Sequence, residues 1–389
     1  MSPFDFIESQ KKNLISFLQK IVRTPSQDDF DFLKPVIKTV SQELKRFGFK
    51  PALIGKKTGQ SILCFCGKKG AGKTLWLDAP LDTASIGNIK KWKYHPFSGK
   101  IVQGKLYGRG SGDCKAAIAV FVYSAAAVFH SGKKLKGQLI LTFDSGEQSG
   151  DFTGMRNILK GGIKAEACII GYPNTEGIVI GSRGFLRLNV TTFGKSAHTG
   201  ARYKVGVNAI NEMVRFLSAL EKLKLSYKKS RLFNFGPKLT TSMIEGGYAI
   251  NVVPDECRVK IDIRLVPFQT KDKVLKEINN LVKKIKKKDP RFKIKIKPYL
   301  YESAFQTSEK SEIVRILKKN AEEILKKQVK LIASGPANVG NIIGNKGIDT
   351  IAGFGVNGDN FHSENEYIEL NSIIPVAKIY IKTMLDYLT

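Results

Sequence analysis

The chain predicts an α/β protein interrupted by a second, α+β unit, and three observations lead there. Strand-like and helical runs alternate through residues 1–180, long alternating strands follow from Gly181, and the α/β texture returns from about Lys310. Strands that alternate with helices argue for a sheet covered by helices. A length of 389 residues suits two domains better than one core. The expected division is 1–181 with 300–389 as one discontinuous domain and 182–299 as the insert.

Each element has its own local reason. The N-terminal MSPFDFIESQKKNLISFLQKIV places acidic residues early and apolar residues at helical spacing, so it reads as an amphipathic helix and not as a signal peptide. That helix should end near Arg23–Ser26, where Pro25 intervenes, and a second should cover Phe32–Phe47. SILCFC, TLWLDA, QLILTF and ACIIGY read as strands, with CKAAIAVFVYSAAAVFH as a long helix among them. In the insert, GFLRLNVTTFGKSAH and TTSMIEGGYAINVVPDECRVKIDIRLVP alternate as strands do, and a helix over Gly206–Leu223 separates them. A further helix, Thr270–Lys287, precedes the strand FKIKIKP.

Composition bounds the function. Hydrophobic residues make up 42% and aromatic residues 10%, which is ordinary for a globular protein. No apolar run approaches the roughly 20 residues of a membrane span, so no membrane partner is expected. Cys64, Cys66, Cys114, Cys168 and Cys257 show neither zinc-finger nor disulfide spacing, and a reducing cytoplasm is expected. The net charge of +30 is dense at Lys222–Arg231 and Lys283–Lys297. Such charge can hold nucleic acid nonspecifically, but it reads first as a solvated lysine-rich surface, so no specific nucleic-acid partner is expected. Gly67–Thr74 matches G-x-x-x-x-G-K-T in full, yet LWLDA follows it as a strand where a phosphate loop requires a helix. A turn between two strands explains it.

The chemistry concentrates in Leu75–Lys115, LWLDAPLDTASIGNIKKWKYHPFSGKIVQGKLYGRGSGDCK. Taken alone, Asp113 reads as the cap of a helix beginning at Lys115. Glu147 in SGEQSG reads as a turn residue, and His95 and His130 as surface or core histidines. Asp78 lies two residues before Pro80 on one strand and so shares its face.

This stretch resembles the metallohydrolase family of zinc aminoacylases, acetylornithine deacetylases, succinyl-diaminopimelate desuccinylases and glutamate carboxypeptidases. There it runs His-x-Asp, then Trp and Pro-Phe, then Gly-Lys-Leu-Tyr-Gly-Arg-Gly-x-x-Asp-x-Lys. Further motifs in the family's order extend the likeness over nearly the whole chain. The resemblance implies a zinc-exopeptidase-like catalytic domain carrying an inserted dimerisation, or lid, domain. It also implies a homodimer and two zinc ions bridged by an aspartate.

Carried over residue by residue, Asp113 falls on the bridging aspartate and His362, in FHSENEYIEL, on the last histidine ligand. Asp82 falls on the aspartate that orients the first histidine. Glu147 falls on the general base, and Gln148 occupies a ligand slot in which it would bind weakly. Pro80 stands where the first histidine belongs, and Tyr172 where an acidic ligand belongs. His198, in GKSAHTG, matches the histidine that one subunit lends its neighbour to polarise the scissile carbonyl. Asn251 and Arg264 match positions that receive the substrate's carboxylate side. Gly335, Pro336 and Asn338 fall on a glycine-rich turn that contacts substrate.

Three of five ligand positions are therefore changed, and at most one divalent ion, zinc by resemblance, is expected. The implied reaction is cleavage of the amide bond in small N-acyl amino acids or dipeptides. The alternative is a non-catalytic relative that binds a carboxylate-bearing ligand or a protein partner.

Overall fold

The computed structural model describes all residues except 28–29, 57–58, 68–71 and 204, and the side chains of 30–32 are likewise outside the description. In chain order the elements used below are helices α1 (Lys11–Val22) and α2 (Phe30–Arg46), then strands β1 (Ala52–Ile54), β2 (Ser61–Cys66) and β3 (Thr74–Asp78). Next come β4 (Lys100–Val102), β5 (Lys105–Tyr107), α3 (Ala116–His130), β6 (Gln138–Phe143) and β7 (Ala167–Ile170). The middle of the chain holds β8 (Gly184–Phe193), α4 (Ala209–Glu221), β9 (Lys238–Gly246), β10 (Glu256–Leu265), α5 (Lys271–Lys288) and β11 (Lys293–Glu302). The end holds α6 (Glu312–Leu325), β12 (Asp349–Ile351), β13 (Gly358–Asp359), β14 (Tyr367–Glu369) and α7 (Ile373–Leu388).

Packing divides the chain into two compact units, one of Met1–Gly181, Gln306–Ala333 and Asn338–Thr389, the other of Ser182–Phe305 and Ser334–Ala337. β11 continues to Glu302, past residue 299 where the sequence reading set the boundary.

The first unit is built on a six-stranded sheet in the order β1-β2-β6-β3-β7-β12. β3 lies between β6 and β7 and runs parallel to both, and β7 is parallel to β12. All six residues of β6 and all four of β7 are buried, the near-continuous apolar reading that a sheet covered on both faces imposes. α3 packs against α1 and α7 and is buried along almost its whole length. The segment Ser111–His130 is in fact long and apolar enough to cross a membrane, with mean hydropathy 1.5, but 94% of that window is buried inside the protein. The expectation that no run approaches that length is corrected accordingly. A helix that is hydrophobic all round is a core helix when the protein encloses it.

β2 ends at Cys66 and Thr74 opens β3, so a strand follows the glycine-lysine stretch; its residues 68–71 lie outside the described part. A small sheet, β13-β14-β5-β4, holds the two loops that matter most below, one following β5 and one joining β13 to β14. Ligands of open parallel sheets bind beyond the carboxyl ends of the strands. Here those ends carry Pro80 and Asp82 after β3, Glu147 and Gln148 after β6, and Tyr172 after β7.

The second unit is a four-stranded antiparallel sheet in the order β9-β10-β8-β11. Leu186, Leu188 and Val190 of β8 and Val259, Ile261 and Ile263 of β10 alternate toward one face. There they form a core with Met213 and Phe216 of α4 and Val274 and Ile278 of α5. The opposite face keeps the polar half of each strand, as period-two alternation requires.

Candidate active site

The loop Arg109–Lys115 is fixed by one buried carboxylate. Glu366 accepts from Arg109 Nη1 at 2.7 Å and from the backbone amides of Gly110 at 2.9 Å, Gly112 at 3.0 Å and Asp113 at 3.1 Å. Arg109 also donates to the Ser363 carbonyl at 3.0 Å and lies 5.2 Å from the Trp92 ring centroid. Glycine is required in this turn. Gly110 has φ +77°, and a Cβ there would meet Thr83 Cγ2 at 2.3 Å.

Held this way, Asp113 turns its carboxylate to His362, whose Nε2 lies 2.8 Å from Oδ2. Cys114 Sγ donates to the other oxygen at 2.8 Å. The carboxylate raises the His362 pKa above its ordinary value, chiefly through this hydrogen bond and against a smaller burial effect. His362 itself sits at φ +61°. A non-glycine residue in this region is a local cost that the surrounding structure must over-determine. Asp113 does not cap a helix: α3 begins at Ala116 with Lys115 as its N-cap and no side-chain capping bond.

Beyond β6, the Gln148 amide N–H donates to Asp82 Oδ2 at 2.8 Å, and the Gln148 side-chain nitrogen donates to Glu147 Oε2 at 2.7 Å. Tyr172 is partly buried with its hydroxyl oxygen enclosed, and its phenol is pushed well above its ordinary pKa, first by burial and then by the charges of Glu147, Cys114 and Asp113. It is therefore a neutral phenol beside Glu147, not a phenolate ligand. Pro80 is buried and offers no donor atom. Asp78 does not reach toward a ligand role. It is buried, accepts from the Thr142 hydroxyl, and lies against Asp144.

Asp113 and His362 thus meet, Glu147 meets Gln148 and Tyr172, and Asp82 meets the Gln148 backbone. His198 is exposed, with Nδ1 accepting from the Gly200 amide at 2.9 Å, and it forms a bridge with Val252. Asn251 neighbours it, its carbonyl accepting from the Thr199 amide at 3.0 Å. Arg264 lies at the far end of β10, where Nε donates to Asp262 at 2.7 Å. At about 3.3 Å per residue the strand separates Glu256 from Arg264 by roughly 26 Å, so His198 and Arg264 of one chain do not share a subsite. His95 Nδ1 accepts from the Phe97 amide at 3.3 Å, and His130 stacks on Phe6 at 5.7 Å; both are structural. Sequence reasoning missed Arg109, Glu366 and Cys114. An arginine and a glutamate 257 positions apart give no local signal of pairing.

A family model described as the peptidase dimerisation domain matches residues 180–290. The succinyl-diaminopimelate desuccinylase of Wigglesworthia glossinidia brevipalpis is 28% identical over 382 residues, covering 95% of this chain and 97% of the relative. Aminopeptidase PepT of Bacillus cereus has the same fold, with TM-score 0.80 at 19% identity, covering 97% of this chain and 99% of that one. With the motif order above, the chain is similar over nearly its whole length to a desuccinylase, and its fold is that of solved M20 peptidases. A Bacillus subtilis protein described as a dinuclear metal binding peptidase of the M20 family also shares the fold, with TM-score 0.74 at 14% identity over 98% of this chain and 99% of that one.

The residues here do not fit a two-ion centre. Two closely spaced dications need anionic oxygens and imidazoles around them. By the motif resemblance, proline and a neutral phenol stand in two of the expected slots, and glutamine in a third. Among the described residues, no group of three or more His, Cys, Asp or Glu side chains is arranged to hold a metal ion. Two donors, Asp113 and His362, remain side by side.

Proposed function

We propose that this protein is an amidohydrolase of the M20 type with a depleted metal site, acting on small N-acyl amino acids or dipeptides. The observation that carries the reading is Glu147, 9% exposed and held by Gln148 and Tyr172 at the carboxyl ends of the parallel strands, close to the Asp113–His362 pair. The full-length likeness to a desuccinylase supports the substrate class, since that relative's name describes removal of an acyl group from an amino acid.

In this reading Glu147 takes the proton of the attacking water. Asp82 holds the Gln148 backbone and so fixes the turn that presents Glu147. Arg264 of one copy, with Asn251 of a second copy, receives the substrate's carboxylate, and His198 beside that Asn251 donates to the carbonyl oxygen as charge develops there. The dimerisation-domain match supports a homodimer that brings His198 across. Asp113 and His362 hold at most one divalent ion, zinc in the first instance; when bound, such an ion acidifies water and polarises a carbonyl.

A second reading is favoured by one specific observation: Pro80 and the neutral Tyr172 replace ligands with groups that cannot coordinate. A non-catalytic relative binding a carboxylate-bearing ligand would look the same. Hydrolysis of an N-acyl amino acid and dipeptide panel, with zinc, cobalt or manganese added, separates the two. Turnover lost in Glu147→Gln supports the enzyme; no turnover by the unmodified protein on any member with any metal supports the binder.

A further inference from the structure

The strand β11 reads Lys293-Ile294-Lys295-Ile296-Lys297, and its two isoleucines pack against the core under α4 and α5. Period two therefore sends Lys293, Lys295 and Lys297 to the other face, where all three are exposed. The register carries the pattern across the sheet. Lys297 lies opposite Asn189, which lies opposite Lys260; Lys295 lies opposite Thr191, which lies opposite Arg258. With strands about 4.8 Å apart, the cations of the edge strand β11 and of the inner strand β10 run roughly 10 Å from one another on either side of the neutral Asn189–Phe193 stretch of β8, with Arg187 beyond its end. That central strand offers the Asn189 amide, the Thr191 hydroxyl and, at its end, the Phe193 ring, 36% exposed.

Two acids on this face are engaged, while Glu245 of β9 lies opposite Arg258. Glu256 is paired with Arg258 at 2.5 Å, and Asp262 with Arg187 at 3.2 Å and Arg264 at 2.7 Å. Lys260 and Tyr299, whose side chain is 46% exposed, line a recess of about 580 Å³ on the same face. The sequence reads these lysines as a solvated surface; the fold sets three of them on one face.

We infer that the helix-free face of this sheet binds single-stranded nucleic acid without sequence preference, the cations of β11 and β10 taking phosphates and the neutral stretch of β8 between them taking bases. The chemistry is that of known single-strand platforms: a cationic track that follows the backbone, with exposed rings on which bases stack. A four-stranded antiparallel sheet with two helices on its far side is a sound frame for it, since unpaired bases can lie flat on the open face. This inference uses none of the residues assigned to hydrolysis, although Arg264 lies on the same face beyond Lys260.

The test is fluorescence anisotropy of the full chain with a labelled 12-nucleotide oligothymidylate across a salt series. The triple variant Lys293→Gln, Lys295→Gln, Lys297→Gln should lose at least tenfold in affinity at low salt. Its log–log salt slope should become shallower by about 2, since each phosphate contact in a single strand contributes about 0.7. Phe193→Ala should lose about fivefold or more. A control triple, Lys284→Gln, Lys287→Gln, Lys288→Gln on α5, removes the same charge elsewhere and should lose less than threefold. Equal loss in both triples would overturn the inference, because net charge alone would then explain binding. So would equal affinity for a 12-base-pair duplex or for inorganic polyphosphate, neither of which can use the neutral strand. A circular-dichroism melt on each variant separates a binding loss from unfolding; a triple that unfolds is replaced by Lys295→Gln alone, with a threefold loss expected and no change contradicting the inference.

Discussion

Glu366 and Arg109 form a buried ion pair, with side chains 1% and 2% exposed, and through it the loop that carries Asp113 is tied to the loop that carries His362. Three backbone amides of the first loop end on the same carboxylate, so the pair positions the site while touching no reacting atom.

Breaking that pair should be costly. Glu366→Ala leaves the Arg109 guanidinium and three amide donors buried without their acceptor. Removing one member of a buried pair typically costs about 3–5 kcal/mol. Denaturant unfolding should show a loss of that order. A loss under 1 kcal/mol would mean that the loop is held by other contacts.

Asp78 supplies a pH dependence. Burial, opposed by smaller hydrogen-bond effects, pushes its pKa up to about 7, and Asp144 beside it is raised as well. A carboxyl whose folded pKa is raised holds more protons folded than unfolded between about pH 4 and 7. Stability therefore falls as pH rises through that window. Asp78→Asn should flatten the fall and raise stability at pH 8 by on the order of 3 kcal/mol, with little change at pH 4. Thermal melts at the two pH values check this, and an unchanged slope would contradict it.

The outer strand of the second unit should mediate the dimer. β9 lies at a sheet edge and exposes Met243 and Ile244, 59% and 60% accessible. An exposed apolar edge strand invites pairing with another chain. Ile244→Lys should shift the protein toward monomer in light scattering at micromolar concentration. It should also lower any turnover that depends on His198 of the second copy.

Much of this was legible in the chain, and the gaps have physical causes. The strands TLWLDA, QLILTF and ACIIGY could be read because buried parallel strands are short unbroken apolar runs, and SILCFC, which pairs antiparallel with β6, because all but Phe65 of it is buried. The α4 and α5 positions followed from helical spacing; the structure starts α4 three residues later and ends it two earlier, and shifts α5 by one residue. Asp113 and His362 were found through motif likeness, since 249 positions separate them. Their direct hydrogen bond, the Glu366 anchor and the Asp78–Asp144 pair were invisible, because each depends on which loops the fold brings together. The lysine-rich face was missed for a related reason. Alternation in β11 was plain, but only the strand order sets it opposite Arg258 and Lys260.

The central claim is that the metal site is depleted. Elemental analysis of protein purified without chelators tests it directly. At most one divalent ion per chain is predicted, and Asp113→Asn or His362→Ala should remove it. Two stoichiometric zinc ions per chain would contradict the account, because the slots occupied by Pro80 and Tyr172 would then not be the missing ligands.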